Sequence, residues 1–486
     1  MTRRQQLGFW LGPLVCLSFW LVPRPEALTE EAWRTAAVSL WMAVWWITEA
    51  IPIPATALLP IVLYPVLGIR TIGEATAPYA HPIIFLFMGG FLLAQAMQRW
   101  RLHRRLALHL IRRIGTRPAR LVLGFLLTSA LLSLWISNTA TALMMLPIAL
   151  SVLELLEEQA AEQPALRAFK AALVLSIAYG CNVGGMGTLI GTPPNALLAG
   201  FLNETYGYEL SFAAWLPLGL PVAGMGLLLT YLLLVYGLFP QGRRLQVEAQ
   251  QLLQAELKAL GPLKAAERRV AWVFGITALL WITRPLLTQW LPGLSDAGIA
   301  MGAALVLFLL PAGEGQRLLD WQTARQLPWG ILLLFGGGLS MADAISDTGL
   351  ARWIGTQVEV LAGWPPLLMV LLATGLMVFL TEITSNTAVT AAFLPVLASA
   401  AVGLGQDPLL LAVPATLGAS CAFMLPVATP PNAVVYSTGR ISMTEMVRVG
   451  FWLNLIFIGL LTLLAFTLLP LVLGVQPGVV PLWAQP

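Results

Sequence analysis

Ser137, Asn138 and Thr139 stand side by side in an apolar run, and the same triplet returns as Ser385, Asn386 and Thr387. Downstream of each lies a second polar break, GTPPN from Gly191 to Asn195 and ATPPN from Ala428 to Asn432. None of the four motifs holds a Lys or Arg. The side-chain oxygens, together with carbonyls freed where a helix breaks, suit a small hard cation. The free N–H groups at a helix start suit carboxylate, phosphate or sulfate. The residue types therefore predict a site that neutralises an anion with helix ends and a co-bound cation, without a fixed positive side chain.

Spacing strengthens that reading. Ser133 and Ser137 are one helical turn apart, and Thr381 and Ser385 repeat the interval. A single Ser or Thr in an apolar helix reads as a packing residue; a constellation repeated in register reads as a ligating surface. Among other ionisable groups, Glu49 in ITEAIP is expected to be a hydrogen-bonding partner at a helix end. Glu382 in TEITSN is either such a partner or a tuner of the second cation site, and His81 an interfacial residue. Cys16, Cys181 and Cys421 show no metal spacing and read as packing residues. No Ser/His/Asp set, HExxH or acidic metal cluster is present, so the sequence does not read as an enzyme.

The elements that must position these motifs follow from composition. With 58% hydrophobic and 10% charged residues, the 486-residue chain carries more apolar surface than a soluble core can bury, and reads as an all-α polytopic membrane protein. Apolar runs of spanning length fall near 7–23, 31–48, 50–68, 81–97, 165–187, 213–239, 270–290, 296–312, 326–342, 408–428 and 449–474, about eleven transmembrane helices. The runs around the triplets, about 121–154 and 366–402, are too long for one crossing and are broken in the middle. They predict two re-entrant helical hairpins with the triplet at each tip, where irregular backbone is tolerated only if buried or lining a cavity. The paired prolines predict broken helices at 191–195 and 428–432.

The triplets are 248 positions apart, Asn138 to Asn386, and the same offset relates Pro147 to Pro395 and the glycine-rich segments around Gly90 and Gly338. The chain divides into an N-terminal first helix (1–30), a first repeat (31–240), an amphipathic linker (241–269), a second repeat (270–474) and a C-terminal tail (475–486). Five crossings per half place the second half upside down, the inverted-topology repeat common in secondary transporters. Residues 98–120 carry eight arginines and no acid, which assigns them to the cytoplasm as a helix in the headgroup region. On that topology Arg24, Arg34, Arg70, Arg284 and Arg352 face the other side, and the N-terminus is cytoplasmic in a multi-pass inner membrane protein. Nothing in the charge resembles a nucleic-acid surface.

Both SNT motifs, both TPPN motifs, WWITEAIPIPATALLP from Trp45 and SCAFMLPVATPPNAVV from Ser420 resemble the divalent anion:sodium symporter (DASS) family, with its INDY-type dicarboxylate transporters and its sodium:sulfate symporters. The resemblance spans nearly the whole chain. It implies eleven helices with two re-entrant hairpins, a homodimer joined through scaffold domains, and an elevator movement of a transport domain. It implies one sodium site at Ser133, Ser137, Asn138 and the carbonyl of Gly191, and another at Thr381, Ser385, Asn386 and the carbonyl of Ala428. The substrate is implied at Asn138, Thr139, Thr192 and Pro193 on one side and Asn386, Thr387, Thr429 and Pro430 on the other. The function expected is sodium-coupled uptake of C4-type dicarboxylates such as succinate, malate and fumarate. A dicarboxylate exchanger and a sodium:sulfate symporter of the same family are the alternatives, and an anion channel is a more distant one.

Overall fold

The computed structural model describes residues 2–159, 164–240, 242, 250–313, 315–361 and 363–485. Its first half contains α1 (Arg3–Ser18), α2 (Glu30–Thr48), α3 (Ile53–Thr56), α4 (Leu59–Val66), α5 (Ile72–Thr76), α6 (Pro82–Arg99), α7 (Leu102–Ile114), α8 (Pro118–Ser133), α9 (Asn138–Gln159), α10 (Pro164–Gly185), α11 (Pro193–Tyr206) and α12 (Phe212–Leu232). After α13 (Gln250–Ala259), the second half runs α14 (Ala265–Leu287), α15 (Asp296–Leu309), α16 (Trp321–Ala324), α17 (Trp329–Asp347), α18 (Leu350–Gln357), α19 (Pro366–Thr381), α20 (Asn386–Gly403), α21 (Pro408–Ala419), α22 (Pro430–Tyr436) and α23 (Met443–Leu473). A two-stranded antiparallel ribbon, β1 (Pro311–Gly313) and β2 (Gln316–Arg317), is the one sheet among the described residues.

Eight helices among the described residues are long and apolar enough to cross a bilayer, and shorter apolar ones at Ile53–Val66, Pro118–Ser133, Asp296–Leu309, Pro366–Thr381 and Pro408–Ala419 complete the bundle. Two expected spans are not continuous. The run at 50–68 is split into α3 and α4, where Pro52, Pro54 and Pro60 remove backbone donors. The run at 408–428 stops at Ala419, and its remainder forms the non-helical approach to α22. In the linker, residues 241 and 243–249, Arg243 and Arg244 among them, lie outside the described residues.

The duplication seen in the sequence is also a duplication of elements. The 248-residue offset carries Pro118–Ser133 onto Pro366–Thr381, and the first residue of α9 onto the first residue of α20. Each triplet therefore joins a 16-residue helix to a longer one through a short non-helical tip. α7 buries Leu102, Ala107, Leu108 and Ile111 and leaves Arg101, Arg112 and Arg113 exposed, the one-sided pattern of a surface helix.

Arg70 bonds Asp343 at 2.5 Å and also Asp347, and Arg284 pairs with Asp296 at 3.1 Å and with Glu209. Arg99 meets Asp320 at 2.5 Å, Arg105 meets Glu267 at 2.7 Å, and Lys170 meets Glu157 at 2.6 Å.

Close approach of α6 to α15 depends on Gly89, where a Cβ would fall 2.6 Å from the Ala300 carbonyl carbon. Overpacking of this kind costs about 1–3 kcal/mol. Gly89→Ala is expected to lower the melting temperature of the detergent-purified protein by several degrees; an unchanged melting curve would show that the two helices separate freely.

Candidate functional site

The four polar breaks meet. A cavity of about 490 Å³ is lined by Ser137, Asn138 and Thr139 of the first tip, Gly191, Thr192 and Pro193 of the first break, Ser385, Asn386 and Thr387 of the second tip, and Ala428, Thr429 and Pro430 of the second break. Glu49, Ile53 and Pro54 of α3, Phe87 and Phe91 of α6, and Pro328, Gly330, Ile331 and Leu334 at the start of α17 also line it. Of the residues expected in the site, Ser133 and Thr381 alone do not line the cavity; both are fully buried just behind the tips.

Helix starts line part of the cavity. α9 begins at Asn138 and α20 at Asn386, with Ser385 as N-cap, so both triplets present first-turn N–H groups. Thr192 and Thr429 cap α11 and α22 in extended conformation, and in each case two prolines occupy the first turn, where the missing N–H is no loss. Thr429 Oγ1 accepts from Asn432 N at 3.4 Å. α22, seven residues long, adds only a short dipole to those of α9, α11 and α20.

Behind each tip lies a cluster of oxygens. Ser133 Oγ donates to Asn138 Oδ1, and a Cβ built on Gly185 would lie 3.0 Å from both Asn138 Oδ1 and the Gly191 carbonyl. Gly185 keeps that point open and lets the oxygens converge on it. In the second half Thr381 Oγ1 lies 2.6 Å from Asn386 Oδ1 and 2.7 Å from the Ala419 carbonyl, with one hydroxyl proton between the two acceptors. Both clusters consist of hydroxyl, amide and carbonyl oxygens without a thiolate or imidazole, a donor set that fits an alkali cation.

The breaks are wider than the prolines alone predict. α10 ends at Gly185 and α11 starts at Pro193; α21 ends at Ala419 and α22 starts at Pro430. The intervening backbone must find partners, since orphaned groups there cost about 1–3 kcal/mol each. Two asparagines within the TPPN motifs supply them. The two N–H groups of Asn195 Nδ2 serve the carbonyls of Thr188 at 2.8 Å and Met186 at 3.2 Å, with that of Gly185 at 3.4 Å sharing one of them. Asn432 Nδ2 donates to those of Ala422 and Leu425 at 3.0 and 3.1 Å. Asn182, from α10, also donates to Ala422 at 2.9 Å, and Tyr179 to Phe423 at 2.9 Å, so the first half holds the second half's loop. Sequence reasoning quoted both motif asparagines but gave them no role; Gly185 and Asn182 carried no local signal.

Glu49 differs from its expectation. It is exposed on the cavity wall with φ of 50°, its backbone N–H capping α2 through Trp45, and its side chain makes no hydrogen bond among the described residues. His81 caps α6, with Nδ1 accepting from Ile83 N at 3.2 Å and Nε2 placed 3.0 Å from Asn203 Oδ1. All three cysteines are buried, as packing residues are.

The arrangement joins two oxygen clusters to one cavity rich in helix starts, in a chain whose sequence the family model described as the sodium:sulfate symporter transmembrane region matches over residues 7–474. The chain belongs to the sodium:sulfate symporter family. It is 44% identical over 481 residues to the sodium-dependent dicarboxylate transporter SdcS of Staphylococcus saprophyticus, covering 97% of this chain and 93% of that one. SdcS of Staphylococcus aureus strain USA300 is 44% identical over the same length, with 97% and 92% covered. Two solved transporters share the fold at 15% identity. The Alcanivorax borkumensis YdaH transporter has a TM-score of 0.58 over 96% of this chain and 98% of its own. Neisseria gonorrhoeae MtrF has a TM-score of 0.56 over 99% and 97%. This symporter-family fold supplies the cavity; its chemistry comes from the breaks.

Proposed function

We propose that this chain is a secondary active transporter that couples sodium to the uptake of C4-type dicarboxylates. The observation that carries the proposal is the single cavity in which both SNT tips and both TP breaks face each other, with an oxygen cluster behind each tip. Two separated helix-start regions match a substrate with two carboxylates, whereas a tetrahedral sulfate needs one. The 44% identity to sodium-dependent dicarboxylate transporters supports the same substrate class.

In this reading, sodium enters the cluster of Ser133, Ser137, Asn138 and Gly191 and that of Thr381, Ser385, Asn386 and Ala428. Each ion organises a tip, and the paired N–H groups then hold the carboxylates at Asn138, Thr139, Thr192 and Pro193 and at Asn386, Thr387, Thr429 and Pro430. An empty or half-filled site presents a less ordered surface, which ties substrate binding to sodium. The unit built from hairpins and broken helices moves past the wall of α2, α3, α6 and α17 as an elevator, in a homodimer joined through that scaffold. The basic end, with α7 and α13, supports an N-terminus in the cytoplasm and an inner-membrane location.

Proteoliposomes loaded with choline provide the test. Labelled succinate should accumulate above equilibrium when sodium is outside, and competition should follow the order of C4 dianions over sulfate. Uptake that ignores the sodium gradient but exchanges with internal succinate would replace symport by exchange, and preferential competition by sulfate would replace the substrate.

A further inference from the structure

We propose that Glu382 is a positioning residue that assembles the second cation cluster, making it unequal to the first. This rests on the proposed function above. Glu382 follows the last residue of α19, directly beside Thr381, and is 3% exposed. Its Oε1 accepts from Phe423 N at 2.7 Å, Met424 N at 2.9 Å and Asn454 Nδ2 at 2.8 Å; its Oε2 accepts from Met424 N at 3.0 Å and Leu425 N at 3.1 Å. Every partner donates, the pattern that a carboxylate and no neutral side chain satisfies.

These bonds fasten three elements that are remote in sequence: the second hairpin tip, the loop three residues before Ala428, and α23 through Asn454. The tip carries Thr381 and Asn386, and the loop leads to Ala428, whose carbonyl the proposed second site uses. A single carboxylate thus holds that tip against that loop, and adds a negative charge beside the proposed cation site. The other side of the same tip is held by Arg4, whose Nη1 donates to the Ile383 carbonyl at 2.6 Å.

The first half has no counterpart. The 248-residue offset brings Glu382 onto Leu134, and there the tip is tied by neutral groups. Thr188 Oγ1 donates to the Leu134 carbonyl at 2.5 Å and Trp215 Nε1 to the Met186 carbonyl at 3.0 Å. The repeat therefore preserves the ligating residues and differs in what sets them in place, so sodium affinity at the two clusters depends on different residues.

The test uses the full-length protein. Glu382→Gln turns one acceptor into a donor facing backbone N–H groups. It is expected to raise the sodium concentration for half-maximal succinate uptake about tenfold. Half-saturation by succinate at saturating sodium should stay within about twofold. Thermal stabilisation by sodium alone, titrated against choline without substrate, should shift by the same factor. Asn454→Ala removes one bond from the far side of the carboxylate and should shift both sodium midpoints about threefold in the same direction, which keeps the test decisive if Glu382→Gln fails to fold. Lower melting temperatures with unmoved sodium midpoints would reduce Glu382 to a structural tie and overturn the proposal. Sodium-independent uptake by the unaltered protein would instead sink the symport reading itself.

Discussion

Asn138→Ala is expected to lower sodium-driven succinate uptake at least about a hundredfold, because the half-buried residue is both a proposed sodium ligand and a proposed substrate contact. One side chain serves both: its Oδ1 accepts from Ser133 Oγ and faces the Gly191 carbonyl across Gly185, while the residue itself starts α9 on the cavity wall. Alanine is a good helix former, so α9 should survive. The measurement is initial uptake into proteoliposomes at matched protein content, with elution volume and melting temperature as checks on folding. Uptake at the unaltered rate would remove Asn138 from the site.

Gly191→Ala should have an effect of similar size for a different reason. A Cβ there would lie 2.4 Å from the Gly185 carbonyl oxygen and 3.0 Å from that of Ser133, both backbone, so the segment must shift. The carbonyl of Gly191 then leaves the first oxygen cluster. Uptake is expected to fall about a hundredfold, and the sodium midpoint of whatever transport remains to rise about tenfold. The second half carries Ala428 at the matching place, and Ala422 where the first half has Gly185. Ala428→Gly should consequently stay within about threefold of the unaltered protein. An active Gly191→Ala protein with an unmoved sodium midpoint would refute the placing of the first cluster.

Much of the cavity's polar lining was legible in the sequence because polar residues in an apolar run are costly unless they do something. Ser133, Ser137, Asn138 and Thr139 stood out against their surroundings, and the offset to Asn386 showed that the pattern occurs twice. The prolines after Thr192 and Thr429 marked helix starts by local chemistry alone. Glu49 misled: an acid at a helix end usually finds a donor there, but the left-handed backbone turns this one toward the cavity.

The extent of the breaks was not legible. Prolines fix where α11 and α22 begin, but where α10 and α21 stop depends on asparagines that satisfy carbonyls several residues earlier, and on Asn182 and Tyr179 reaching the other half. Local sequence determined the elements, their duplication, the helix starts and the kinds of ligand atom, because those follow from periodicity, capping and residue type over a few positions. Tertiary structure decided which breaks share one cavity, why Gly185 must lack a side chain, and that Glu382 rather than a copy of Leu134 fastens the second tip. Those facts depend on contacts between residues tens to hundreds of positions apart, whose geometry no local pattern encodes.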